Sequence, residues 1–218
     1  MTTQERFSIY FAGELFSLKH LAGNALLADE IDNHPKSQYQ CELPQDHEAR
    51  EMHPLELRNQ DLLILLNCDV GLFHFDGSEL DSGTIVEYLF AKMLDIPSVV
   101  LRTDFRAGGD SYEPWNLMLS GFPRVETILV HGMVSYRQAR QSAEVSRSQA
   151  AVNASRELAG QVIEALDRVR ALPPIISRAE QTAVYSWARR FPGSGFDQCV
   201  SEQELTKIIE RKRAKGML

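Results

Sequence analysis

Residues 70–102 read VGLFHFDGSELDSGTIVEYLFAKMLDIPSVVLR, and the alternation of apolar runs and turn residues in this stretch decides the fold. VGLFHFD (70–76) is a short apolar run of the kind buried inside a sheet, and IPSVVLR (96–102) is a second. Between them Asp81 or Ser82 can cap a helix, and apolar residues recur up to Leu94, so the spacing predicts a helix over 82–95. Strand, helix and strand in this order imply parallel pairing through a right-handed crossover. Ile85, Val86, Leu89, Phe90, Met93 and Leu94 form the expected buried stripe of that helix, and Glu87 falls off its centre.

The same pattern extends in both directions. SIYFAG (8–13) reads as a first strand entering a turn, 15–31 as a helix, YQCELP (39–44) as a second strand, and 53–69 as a helix with Pro54 in its first turn. A short helix around PWNLMLSG (114–121) and a strand VETILV (125–130) follow. The predicted fold is α/β: an open parallel sheet flanked by helices, flavodoxin-like or Rossmann-like, with a helical C-terminal extension. After residue 131 the texture changes to alanine and charge. One long helix is expected over 135–169, a second over 178–190, and a third begins at the Ser201/Glu204 capping box. The expected division is a catalytic domain over 1–131 and a helical extension over 132–218 that serves as a cover or an oligomerisation element.

In an open parallel sheet, ligands bind outside the carboxyl ends of the strands. The loop DGSELD delivers Asp81 to that edge, Gly83 permits close backbone approach, and Glu87 follows in the second turn of the helix. A helix N-terminus favours an ionised carboxylate, and an ionised, aimed carboxylate suits nucleophilic attack. Glycosyl transfer uses such a group, since one carboxylate forms a glycosyl intermediate that a second acceptor resolves. The competing reading makes Glu87 a solvated helix residue and Asp81 a simple cap. Asp61 opens the run LLILL; facing the crevice, it becomes a proton donor through desolvation, and facing outward it is a surface residue. Asp69 reads as a turn residue, and Tyr10 and Phe16 flank the exit of the first strand.

Bulk properties narrow the classes. The 218 residues carry a formal charge of −7, which discourages binding to nucleic acid or an anionic membrane surface. Cys41, Cys68 and Cys199 are widely spaced and fit neither a disulfide framework nor a zinc site, so a reducing, cytoplasmic setting is expected. No apolar run is long enough to span a bilayer. His20, His47, His53, His74 and His131 lack metal-ligand spacing, and neither G-x-G-x-x-G nor a P-loop occurs.

With these residues laid out, the sequence resembles the nucleoside 2-deoxyribosyltransferase family. The resemblance rests on IYFAGELF (9–16), Leu43-Pro44 with Gln45, Asp61 and Asp69, DSGTIVE (81–87) and PWNLM (114–118), in the family's order over about residues 8–130. It implies cleavage of the N-glycosidic bond of a 2′-deoxynucleoside and transfer of the sugar to another nucleobase, with no metal or organic cofactor. It also implies roles: Glu87 as nucleophile at C1′, Tyr10 positioning it, Asp61 handling the proton of the base, and Asp81 with Gly83 at the sugar. Phe16 would wall the base pocket, and Asn116 with Met118 would reach the site of a neighbouring subunit, since members are homo-oligomers with shared active sites. Two rivals use the same scaffold: an N-glycoside hydrolase acting on a nucleoside or its 5′-monophosphate, with Arg102 or Arg106 at the phosphate, and a non-catalytic nucleoside-binding module. Members close the site with a C-terminal tyrosine, which this chain, ending KRAKGML, lacks; Tyr112, Tyr136 and Tyr185 are the replacements to consider.

Overall fold

The computed structural model describes residues 6–47, 52–109, 113–141 and 144–218. Five strands, β1 (Phe7–Ala12), β2 (Tyr39–Glu42), β3 (Val70–His74), β4 (Ser98–Arg102) and β5 (Val125–Leu129), form one sheet in the order β2-β1-β3-β4-β5. Every neighbouring pair is parallel, with Tyr10 opposite both Glu42 and Gly71. This is the flavodoxin-like order, whose switch point lies between β1 and β3. The expected α/β fold, with helices after the sheet, is the observed one.

Alternation along the strands sorts the core into two layers. Ile9, Phe11, Val70, Leu72, Val99 and Leu101 face helices α1 (Leu18–Asp32) and, after α4 (Gly132–Ala139), α5 (Arg147–Arg170). Tyr10, Ala12, Phe73, Phe75 and Val100 face α2 (Pro54–Asn67) and α3 (Ser82–Met93). The same layer continues into α6 (Gln181–Arg190), α7 (Phe196–Cys199) and α8 (Glu202–Ala214) through Tyr185, Phe196 and Ile208.

Two expectations need correction. The helix predicted over 135–169 is two helices: α4 ends at Ala139, and Ser146, extended at φ −63° and ψ 161°, starts α5 by accepting a hydrogen bond from Gln149 N. A serine cap of this kind favours a new N-terminus over continuation. In α3 the buried face is Thr84, Tyr88 and Ala91 together with Phe90, whereas Val86 and Leu89 are 58% and 41% exposed. The apolar surface of α3 is wider than the sheet can cover, and the helix is rotated so that Tyr88, not Val86, meets Phe73 and Phe75. The capping box at Ser201 and Glu204 is present, Ser201 Oγ accepting from Glu204 N at 3.2 Å.

Residues 175–217 are fastened to the amino edge of the sheet. Asp95 accepts from Ile175 N at 2.7 Å and pairs with Arg124, which donates to Met217 O at 3.0 Å. Lys212 is buried and donates to Cys68 O, while Lys215 reaches Asp69 at 2.9 Å. Asp69 also accepts from Ser8 N at 3.0 Å, so this buried acid joins β1, β3 and α8 at the end of the strands away from the crevice. Tyr185 donates to Leu94 O and is buried at that same edge, so it does not close a site at the carboxyl end. Tyr136 is half-buried on α4, and Tyr112 lies outside the described residues. Among the described residues no helix is long and apolar enough to cross a membrane.

Candidate active site

The crevice side of β1 carries Tyr10, fully buried and pointing into the α2/α3 layer. Its hydroxyl donates to Glu87 Oε1 at 2.7 Å, a contact between residues 77 apart in sequence. Parallel pairing of β1 with β3 makes it possible, because β3 then launches α3 alongside the end of β1. Asp81 starts that helix, its Oδ2 accepting from Thr84 N at 2.7 Å and from Thr84 Oγ1 at 2.9 Å. One carboxylate oxygen is spent on the cap, and Asp81 Oδ1 accepts no hydrogen bond among the described residues. A Cβ at Gly83 would come within 3.0 Å of Asp81 Oδ2, so the glycine leaves room for that cap.

Electrostatics tie a fourth residue to the group. Burial, and then the charges of Asp61 and Asp81, push Glu87 from its ordinary 4.5 up to about 8, against the opposing hydrogen bond from Tyr10. Burial and the charges of Glu87 and Asp61 likewise hold Tyr10 well above 10, so its phenol keeps the proton it donates. The Asp61 carboxylate therefore acts on both partners of the pair. The expectation of a carboxylate ionised by the helix terminus is corrected: desolvation outweighs the dipole, and near neutrality Glu87 favours its protonated form.

Among the described residues the other predicted residues make no hydrogen bond to Tyr10 or Glu87. Phe16 stands 74% exposed beside the exit of β1. Asn116 caps a short 3-10 turn at 117–119 by accepting from Met118 N at 3.0 Å, and Met118 is 74% exposed. Arg102 is buried and spends its guanidinium on the carbonyls of Phe75 (2.6 Å), Gly77 (3.0 Å) and Arg106 (2.7 Å). Arg106 grips Asp104 at 2.5 Å.

Arg102 emerges instead as a clamp. Together with Asp76, which accepts from Thr103 N at 2.5 Å and Asp104 N at 2.9 Å, it welds the loop leading to α3 onto the loop after β4. An arginine ending the apolar strand SVVLR was the available signal for this role. Among the described residues no group of three His, Cys, Asp or Glu side chains could hold a metal ion.

A buried tyrosine, a proton-holding glutamate and a second acid at a switch point can do nucleophilic and proton-transfer chemistry on one small substrate. Comparison with known proteins bears on which chemistry that is. The family model described as nucleoside 2-deoxyribosyltransferase matches residues 9–118, half of the chain and the whole span from Tyr10 to Met118. Among solved structures, a conserved protein from Enterococcus faecalis V583 is similar at 27% identity, with 56% of this chain and 92% of that chain covered and a TM-score of 0.48. A 2-desoxiribosyltransferase from Leishmania mexicana is similar at 22% identity, with 55% and 89% covered and a TM-score of 0.46. No curated protein matches the chain. With the family model spanning every residue of the Tyr10–Asp61–Asp81–Glu87 cluster, the chain belongs to the nucleoside 2-deoxyribosyltransferase family of enzymes.

Proposed function

We propose that the protein moves 2-deoxyribose between nucleobases through a covalent glycosyl ester on Glu87. The observation that carries this reading is the 2.7 Å hydrogen bond from Tyr10 to Glu87 inside the matched family span. The charge of Asp61 raises the pKa of Glu87, and in this reading the two acids share a single proton. The reactive arrangement has that proton on Asp61 and the charge on Glu87, and the Tyr10 hydroxyl favours it by donating to the Glu87 carboxylate.

The Glu87 oxygen then attacks C1′, the C1′–N bond breaks, and the departing nitrogen takes the proton from Asp61. Both acids end without a proton, Glu87 esterified and Asp61 ionised, and the base leaves neutral. A second base reverses the sequence, returning its proton to the pair. Asp81 holds the sugar with its remaining oxygen where Gly83 leaves room, and Phe16 lies over the base. Asn116 and Met118 serve the site of a neighbouring copy, in keeping with the exposure of Met118, Val86 and Leu89. Free Cys41, Cys68 and Cys199 suit a reducing, cytoplasmic setting.

Hydrolysis is a second reading with one observation in its favour. Residues 211–217 are fastened to the amino edge of the sheet, away from the crevice, and a crevice that they leave uncovered would admit water to the ester. The test incubates the protein with a deoxynucleoside, with and without a second free base. A new nucleoside formed faster than free deoxyribose is the expected outcome. Free sugar alone, at a rate the second base does not alter, selects hydrolysis. Glu87→Ala should lower either rate by about a thousandfold or more.

A further inference from the structure

The opposite side of the same strand ends holds a cavity of about 620 Å³ that none of Tyr10, Asp61, Asp81 or Glu87 lines. It lies in the α1/α5 layer, under the ends of β3 and β4, and Met133, Ser155 and Leu158 wall it from beyond the span matched by the family model. The volume falls within the range of small-molecule sites. One wall is rigid, because Asp76 and Arg102 fix the loops that contribute Gly77 and Thr103.

The charges in this cavity are unevenly spent. Three carboxylates line it, and each is engaged within the protein. Asp76 accepts from Thr103 and Asp104 N and lies 3.1 Å from His74 Nε2; Asp104 is gripped by Arg106; Glu14 lies 3.1 Å from His20 Nε2. Among the described residues neither the Lys19 ammonium nor the Ser155 hydroxyl has a hydrogen bond or ion pair inside the protein, and both line the cavity. Lys19 and Ser155 thus face the cavity with their donors unspent, and the two imidazoles of His20 and His74 lie alongside. Leu27, Leu158 and the exposed ring of Phe105, stacked on His131 at 4.5 Å, supply apolar surface to the same cavity.

We infer that this cavity is a second ligand site, separate from the Glu87 cluster, for a small ring-bearing phosphomonoester whose phosphate meets Lys19 and Ser155. Nucleoside 5′-monophosphates and pentose phosphates share this chemistry. The inference does not depend on deoxyribosyl transfer, since it concerns other residues on the other face of the sheet.

Titration calorimetry of the full chain with deoxyadenosine 5′-monophosphate, with 2-deoxyribose 5-phosphate and with deoxyadenosine tests it. At least one of the two phosphates should bind, and deoxyadenosine at least tenfold more weakly at this site; the arm that binds identifies the source. Lys19→Met, an exposed substitution that folding tolerates, should weaken phosphate binding about tenfold. Ser155→Trp, which fills the cavity, should abolish it. Glu87→Gln should leave it unchanged. Failure of both phosphates to bind overturns the inference. So does equal affinity in Lys19→Met, or loss of phosphate binding in Glu87→Gln.

Discussion

Tyr10→Phe removes one oxygen and little else. The ring is fully buried in the core layer that also holds Leu62, Leu65 and Phe73, so phenylalanine keeps the packing while Glu87 loses the donor at 2.7 Å. A hydrogen bond to an ionised acceptor contributes about 1.5–3 kcal/mol. That energy favours the arrangement with the charge on Glu87 and the proton on Asp61, and its loss returns the proton to Glu87. At about 1.4 kcal/mol per factor of ten, kcat/KM for base exchange should fall roughly 10- to 100-fold. The last proton of the pair should also become harder to remove. For the native protein kcat/KM should decline above about pH 8, where that proton leaves; in Tyr10→Phe the decline should move up by about one to two pH units. Steady-state exchange between a deoxynucleoside and a free base, followed from pH 5 to pH 10 by chromatography, reads both effects. An unchanged rate at pH 7, or an alkaline limb displaced to lower pH, refutes the role given to the tyrosine.

The elevated Glu87 pKa has a consequence for stability. An acid raised from 4.5 to about 8 on folding stabilises the fold fully below pH 4.5, and that contribution is lost as pH rises through 8. Glu87→Gln should therefore match the native protein in urea denaturation near pH 4.5 and exceed it at pH 9, by roughly 3–4 kcal/mol after allowance for the partial exposure of the residue; equal stability at both pH values contradicts this. Asp61→Asn removes both the proton carrier and a charge that raises Glu87, so turnover should fall by about a hundredfold or more while the alkaline limb moves to lower pH, which the same profile measures. Arg102→Met strips the Phe75, Gly77 and Arg106 carbonyls of a buried donor, and thermal melting should show a loss of about 3 kcal/mol or more.

The β3–α3–β4 unit was legible because its strands are apolar throughout and its helix begins at an aspartate, features that act locally. The local pattern put Glu87 in the second turn of α3 with a solvated position as the alternative, and its hydrogen bond to Tyr10 decides between them. Its protonation did not follow. That depends on how completely Tyr10, Asp61 and the α2 helix enclose it, and enclosure is set by residues far apart in sequence. Val86 and Leu89 were misplaced for a related reason: α3 is apolar on more than one side, and only the positions of Phe73 and Phe75 decide that Tyr88 faces inward. The break before Ser146 was missed because an apolar stripe continues across it, while the cap that stops it is a single serine. Arg102 looked like a ligand for phosphate from its charge alone; its acceptors are backbone carbonyls, which leave no mark on a sequence.

The most direct test of the account is whether Glu87 becomes covalently glycosylated. The protein is mixed with a deoxynucleoside in the absence of a second base, quenched with acid within the first turnover, digested and examined by mass spectrometry. One deoxyribosyl group is expected on the peptide carrying Glu87, absent in Glu87→Ala and discharged when a free base is added before the quench. Base released at the full rate with Glu87 unmodified, or the adduct found on another residue, contradicts it.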